Sequence, residues 1–360
     1  MTKVIVTGIL GQDGANMVEF LLDNETLHER FRKGIGDEIK VYGMMRRSSN
    51  PNFINTHKFK NNNNFKFVYG DLTDDVNIDR LVKDIQPDYF INFAANSFVG
   101  CSWDMPEQVL DANAIGVLRC MESIRKFKPD CRFYSAGSSE EFGDVDYSPQ
   151  DINHPIKPRS PYGASKACAR HLVKVYRESY GMYAVHGILF NHEGTKRGEE
   201  FVTRKITKGV ARIKHNPDSF DPIELGNIYA KRDWSDSEDF VEGVWIMLNQ
   251  DEPKDYILSS GETHSIKQFV TRAFECADIY GSWVEVEGRP LATKFALGME
   301  DYKPLVTINE EFYRPAEVDV LLGDSTPIRE ELGWKPKISF DMLVEKMVKF
   351  DIEDYEKEKR

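Results

Sequence analysis

The sequence predicts an α/β fold, a doubly wound parallel sheet followed by a smaller, mostly α C-terminal lobe. Three observations carry that expectation. Short runs rich in β-branched and aromatic residues alternate with amphipathic stretches through residues 1–190. The runs are apolar on both faces, as strands covered by helices on both sides must be. Beyond Asn191 the alternation gives way to helical patterns among loops rich in Pro, Gly and charge. Strand–helix–strand order implies parallel pairing, because a crossover helix brings the chain back to the same end of the sheet.

Taken in order, the expected strands are "KVIVTG" (3–8), "IKVYGMM" (39–45), "FKFVYG" (65–70), "DYFINFA" (88–94), "CRFYSAG" (131–137) and "YAVHGILF" (183–190). Amphipathic stretches at 15–23, 76–85 and 109–127 supply the crossovers. In the second half, helices are expected at 201–214, 238–248, 265–279 and 340–355, in a lobe without a regular sheet of its own. The first domain is then 1–190 with a returning segment near 224–262, and the second lobe is 191–223 with 263–360. The "NNNN" loop (61–64) and the charged tail at 355–360 suggest no chemistry.

Of the 360 residues, 41% are apolar and 29% charged, with a net charge of -12. An acidic surface excludes non-specific nucleic-acid binding. A phosphorylated ligand is still allowed, but only at a local basic cluster. The five cysteines are odd in number and unpaired in spacing, which predicts a reduced chain with no disulfide framework and no metal. "MTKVIVTG" runs straight into a strand, leaving no room for a signal peptide. No apolar run approaches the ~18 residues of a membrane span. A soluble, cytoplasmic protein is expected, with neither nucleic acid nor membrane as partner.

Gly8-x-x-Gly11-x-x-Gly14 ends the first strand and opens the first helix. Glycines there permit a tight turn and let backbone N–H groups approach a pyrophosphate at the helix N-terminus. In this strand–turn–helix context the motif predicts a dinucleotide. The second strand ends in Arg46, Arg47, Ser48 and Ser49, where an NAD site would have a carboxylate. Guanidinium groups and hydroxyls suit a 2′-phosphate, so NADP is favoured. Asp71, after the third strand, can accept from the adenine amino group or cap the next helix. Small residues in "FAANS" (93–97), Ala94 and Ala95 among them, would let the cofactor lie against the backbone.

Tyr162 and Lys166, spaced i, i+4, share one helical face. A cation beside a phenol favours phenolate, as a general base requires. "SAGSSEEFG" (135–143) leaves the fifth strand. There Ser138 can hydrogen-bond the sugar hydroxyl that Tyr162 deprotonates. The ketone formed at that carbon acidifies the neighbouring C–H, and Glu140 can remove that proton and protonate a leaving hydroxyl. A simple alcohol dehydrogenase needs no such group; a dehydratase does. Glu141 points away if the chain stays extended there.

These residues together resemble the extended short-chain dehydrogenases/reductases and, within them, the GDP-mannose 4,6-dehydratase family. The more specific words are "GQDG" (11–14), "RRSS" (46–49), "RSPYGASK" (159–166), "GILFNHE" (187–193), "FVTRKI" (201–206), "LGNIYAKRDW" (225–234), "SSGETHSI" (259–266) and "FYRPAEVDVLLGD" (312–324). The resemblance implies a Rossmann domain, a hydro-lyase acting on GDP-mannose, and Ser138, Glu140, Tyr162 and Lys166 as catalytic groups. It implies oxidation at C4, loss of water across C5–C6 and return of the same hydride to C6, giving GDP-4-keto-6-deoxymannose. Implied NADP contacts are Gly8, Gly11, Gln12, Asp13, Gly14, Arg46, Arg47, Ser48, Asp71, Leu72, Ala94, Ala95, Tyr162, Lys166, His192 and Arg197. Implied GDP-sugar contacts are Ser97, Asn191, Val202, Lys205, Arg232, Arg314 and Glu317, with the Glu317 carboxylate suited to guanine.

Independently, Lys196, Arg197, Arg204, Lys205, Lys231, Arg232 and Arg314 form a basic supply for two phosphates. The chain departs from the family in having Ser138 where Thr is usual and Leu10 where Thr is usual. The long loop after Arg46 implies, by the same resemblance, a homotetramer built as a dimer of dimers. His264 is left without a role. The alternatives left open are a dehydratase for a related GDP-sugar such as a GDP-heptose, an epimerase or decarboxylase on this scaffold, and a non-catalytic NADP sensor.

Overall fold

The computed structural model describes residues 1–23, 38–286, 288, 290–297, 303–313 and 320–359. Arg314 and Glu317 lie outside the described residues. In the first half the order is β1 (Thr2–Thr7), α1 (Gln12–Leu22), β2 (Ile39–Met45), β3 (Phe65–Tyr69), α2 (Asp75–Ile85), β4 (Tyr89–Asn92), α3 (Pro106–Leu110), α4 (Gly116–Phe127), β5 (Arg132–Ala136), α5 (Pro161–Tyr180) and β6 (Ala184–Leu189). The six expected strands are all there. β4 and β6 are buried at every residue, as strands covered on both faces require. Helix ends follow local capping. Asp74 accepts from the Asn77 N–H at 2.9 Å to start α2. Ser160 accepts from the Gly163 N–H at 3.0 Å to start α5, with Pro161 in its first turn. The stretch read as one helix over 109–127 is broken by a π-helical turn, Asp111–Ile115, between α3 and α4.

The second half contains β7 (Asn191–Glu193), α6 (Val202–His215), β8 (Ile223–Leu225), β9 (Lys231–Arg232), β10 (Trp234–Asp236), α7 (Ser237–Leu248), β11 (Tyr256–Leu258), β12 (His264–Ser265), α8 (Ile266–Cys276), β13 (Ser282–Val284), β14 (Lys294–Ala296), β15 (Pro304–Ile308), β16 (Val320–Leu321), α9 (Thr326–Leu332) and α10 (Phe340–Glu358). The main sheet has seven parallel strands in the order β11-β6-β5-β4-β1-β2-β3. One face packs on α1 and α7, through residues such as Met17, Val18 and Trp245. The other face packs on α2, α4 and α5, through Ile78, Met121 and Val173. Strand order reverses between β1 and β4, which opens a crevice at the strands' C-terminal ends.

The expectation that the second lobe has no regular sheet is corrected. Strands β13, β14, β15 and β8 form a four-stranded mixed sheet, in which β8 pairs parallel with β15 and the other pairs are antiparallel. Helices α6, α8 and α10 cover it, burying Ile206, Phe274 and Met347 against Phe295, Leu305 and Val306. Its strands are three to five residues long, too short to show a period. Among the described residues no helix is long and apolar enough to cross a membrane.

Candidate active site

A cleft of ≈ 1520 Å³ runs from the glycine turn, across the C-terminal ends of β1, β4 and β5, to the second lobe. At its floor Gly8 has φ +68°, a conformation that favours glycine, and the Gly11 N–H donates to the Gly8 carbonyl at 2.9 Å. A Cβ on Gly14 would stand 2.4 Å from that carbonyl oxygen. The N-cap of α1 is Gly11, with no side-chain cap. The helix start therefore offers N–H groups and a positive dipole end to an anion. Gln12 donates from Nε2 to the His192 carbonyl at 3.0 Å, while its buried Oε1 has no partner. This cradle fits a dinucleotide pyrophosphate.

Asp13 and His192 meet beside the cradle, Nε2 to Oδ2 3.0 Å, and the Phe190 carbonyl lies 2.7 Å from His192 Nδ1. Burial acts to raise the Asp13 pKa, but His192 and Arg197 outweigh it and hold the carboxyl below its usual range. Burial acts to lower that of His192, and Asp13 outweighs it in turn. Arg197 pairs with Glu193 at 3.0 Å and stacks 3.5 Å from the Phe201 ring centroid. Arg46 and Ser48 line the far end of the cleft. Arg47 is not part of that lining; its guanidinium donates to the Ser48 carbonyl. Asp71 lines the cleft and accepts from the Thr73 N–H at 3.0 Å. It does not cap α2, since Asp74 does. Leu72, Ala94 and Ala95 also line the cleft, and the Ala94 N–H donates to Thr7 Oγ1 at 2.9 Å.

The residues expected to react come from two elements. After β5 the chain does not stay extended but folds into a 3₁₀ turn, Ser139–Glu141. Ser138 Oγ accepts from the Glu140 N–H at 3.2 Å, and the Glu141 carboxylate accepts from the Ser138 N–H at 2.8 Å, a capping box. Ser138 and Glu140 line the cleft and Glu141 does not. Glu141 is thus directed away, as expected, but by the turn rather than by strand alternation. From α5 come Tyr162 and Lys166, both buried on the same face and both at the cleft. Lys166 Nζ donates to the Ala136 carbonyl at 2.7 Å and lies 5.8 Å from the Tyr162 ring centroid. Burial lowers the Lys166 pKa to about 8, with Glu141 and Asp13 opposing. Burial raises that of Tyr162, a hydrogen bond with Ser138 lowers it, and Glu140 and Glu141 add to the rise. The expected lowering of the phenol by Lys166 is not what the site shows: the cation that lowers it is Arg197, and desolvation outweighs that effect.

On the second lobe's side, Ser97, Asn191, Val202, Lys205 and Arg232 all line the cleft. Lys205 Nζ lies 3.6 Å from the Phe312 ring centroid, and burial lowers its pKa, with Glu224 opposing. Arg232 is buried, and donates to the Lys231 carbonyl at 2.9 Å. The basic supply is narrower than its count. Lys196 is paired with Glu19 at 3.0 Å and Arg204 with Asp351 at 2.7 Å, while Lys231 is exposed and outside the lining. His264 stacks on Phe340 at 3.8 Å, a packing contact outside the cleft.

Sequence reasoning missed two supports. Glu141 was legible as the last residue of an S-x-x-E capping box. Asn113, placed by the π-helical turn, donates to Ser165 Oγ and to the Asn96 carbonyl, each at 3.1 Å. Ser165 in turn donates to the Tyr162 carbonyl at 2.7 Å, so Asn113 braces α5. No local pattern marks a π turn.

Residues 5–347 match the model of the family described as GDP-mannose 4,6 dehydratase. Relatives of that name include one from Homo sapiens, 39% identical over 357 residues, covering 97% of this chain and 91% of the relative. GDP-mannose 4,6 dehydratase 1 from Arabidopsis thaliana is 41% identical over 367 residues, covering 99% and 91%. Among solved structures, a dTDP-glucose 4,6-dehydratase from Streptomyces venezuelae with NAD and TYD bound superposes with a TM-score of 0.79 at 18% identity, covering 99% of this chain and 98% of that one. At that identity the likeness speaks for the fold alone. Epimerases share the scaffold too, so the fold does not choose between reactions; the near full-length sequence match does. This chain belongs to the GDP-mannose 4,6-dehydratase family.

Proposed function

We propose that this chain removes water from GDP-mannose to give GDP-4-keto-6-deoxymannose, using Ser138, Glu140, Tyr162 and Lys166 as its reacting groups and NADP as its cofactor. The dehydratase activity follows from family membership; the residue roles and the choice of NADP are proposals. The observation that carries the residue roles is that Glu140 and Ser138, on one turn, line the same cleft as Tyr162 and Lys166 on α5. With its pyrophosphate held by the glycine cradle at Gly8, Gly11 and Gly14, NADP would supply reversible storage of a hydride.

As the phenolate, Tyr162 takes the C4 hydroxyl proton, and Ser138, hydrogen-bonded to Tyr162, holds that oxygen in place. Lys166, with a pKa near 8, gains or loses its proton near neutral pH and so can exchange charge with the phenol. The C4 ketone acidifies C5–H. Glu140 removes that proton and delivers one to the departing C6 hydroxyl, so that a single carboxyl serves as base and then as acid; once C6 has been reduced, C5 takes a proton that originates in solvent. Lys205 and Arg232 supply positive charge for the diphosphate, with Asn191 beside them and Arg314 and Glu317 as further proposed contacts. Incubating the purified protein with GDP-mannose and no added reductant tests the reading. A 4-keto product lighter than the substrate by one water is expected; unchanged GDP-mannose would overturn it.

NADP rests on Arg46 and Ser48 at the end of β2. Arg46→Ala should weaken NADP binding by about 10–100-fold, the worth of a charged hydrogen bond, and leave NAD binding nearly unchanged. Equal weakening of both would contradict a 2′-phosphate contact, and fluorescence titration measures it. A cytoplasmic homotetramer is proposed with the division into lobes given above. The loop after β2 carries exposed Phe53 and Ile54, apolar surface suited to a neighbouring subunit. Light scattering should read four chains; a monomeric mass would refute the assembly.

A further inference from the structure

Glu141 takes no part in the proton transfers above, yet its side chain is fully buried. A buried carboxylate is strongly unfavourable unless it is paired and hydrogen-bonded. Its partners come from the elements that carry the reacting groups. The Ser138 N–H donates to Oε1 at 2.8 Å. His186 Nε2, on β6 and equally buried, donates to the same oxygen at 2.9 Å, since a carboxylate can only accept. Arg170, one turn beyond Lys166 on α5, places NH1 3.9 Å from Oε2. Its NH2 donates to the Ile152 carbonyl at 2.6 Å, which fixes the guanidinium.

Local backbone is fitted to this cluster. A Cβ on Gly137 would stand 2.3 Å from His186 Nε2 and 2.7 Å from Glu141 Oε1. The Glu141 carboxyl is held below its ordinary range, because His186, Arg170 and the Ser138 N–H together outweigh the opposing effect of burial. Neither Glu141, His186 nor Arg170 lines the cleft. A buried ion cluster is a poor device for stability alone, where apolar residues of similar volume serve as well or better.

We propose that Glu141 is a positioning residue: braced by His186 and Arg170, its carboxylate fixes the turn bearing Ser138 and Glu140 against the helix bearing Tyr162 and Lys166, and so sets the spacing on which both proton transfers depend. This rests on the roles proposed above for those four residues. A reacting group displaced by about 1 Å can lose about 10²-fold in rate. Removing the clamp should therefore slow turnover while the lining that binds substrate and cofactor stays in place.

The test compares Glu141→Ala, Glu141→Gln and Arg170→Met in the full chain, measuring kcat and KM with GDP-mannose, NADPH binding and Tm. Glu141→Ala should lower kcat by about 10²-fold with KM and NADPH affinity little changed. Glu141→Gln, which keeps an oxygen for the Ser138 N–H, should recover most of that loss. Arg170→Met, which leaves the carboxylate itself intact, should lower kcat to a smaller extent, again without moving KM, and it carries the test with Glu141→Gln if Glu141→Ala does not fold. Wild-type kcat in Arg170→Met or in a folded Glu141→Ala, or a fall in Tm in either with kcat unmoved, would overturn the proposal. A wild-type protein inactive on GDP-mannose would instead overturn the function on which it rests.

Discussion

Glu140→Gln is expected to lower turnover of GDP-mannose by about 10²–10⁴-fold, the contribution of a general acid–base group, while NADP affinity stays near that of the wild type. The substitution keeps the size and hydrogen-bonding reach of the side chain and removes only its ability to exchange a proton. Because Glu140 lines the cleft and its N–H is held by Ser138 Oγ, a bond the substitution does not touch, the turn should survive the change. Its effect should also fall on one half of the reaction. In the proposed mechanism oxidation at C4 does not use this carboxyl, so near-ultraviolet absorbance should rise once, to about one equivalent per site, and then stop. A variant with near-normal rates would remove Glu140 from the elimination.

Tyr162→Phe is the second large effect, again about 10²–10⁴-fold in kcat, but with a different signature. The lost hydroxyl is the group assigned to C4, so the absorbance rise seen with Glu140→Gln should not occur. Burial of the ring is preserved by Phe, and α5 keeps its Ser160 cap and the Ser165 and Asn113 bracing, so cofactor binding should persist. Rapid-mixing absorbance with both variants separates the two roles. Equal absorbance rises from the pair would show that the phenol is not the group acting at C4. In the wild type the pH profile of kcat should include a group near 8, set by the desolvated ammonium of Lys166. Activity should rise as pH passes upward through that value, because only the neutral amine can take the phenol's proton; a fall would contradict this role for Lys166.

Much of this site could be read from the chain because its signals are local. Strands buried on both faces are continuous apolar runs, and the glycine turn lies between one such run and a helix. Tyr162 and Lys166 follow a Ser-Pro start that sets where α5 begins, so their shared face follows from helix geometry. What was not legible depends on partners far away in sequence. The four-stranded sheet joins residues 223–225 to 282–308, in strands too short to show a period. Charge counts showed Arg204 and Lys196 as basic, but not that Asp351 and Glu19 neutralise them. The 3₁₀ turn at Ser139–Glu141 was masked by extending β5 one step too far, although the capping-box spacing was present.

The mechanism requires that C5 exchange its hydrogen with solvent while C6 receives the one removed from C4. Turnover of unlabelled GDP-mannose in heavy water, followed by NMR and mass analysis of the product, reads both carbons at once. Deuterium should appear at C5 and be absent from C6. Deuterium at C6 would mean that the hydrogen delivered there came from water, and the internal transfer on which the account is built would be wrong.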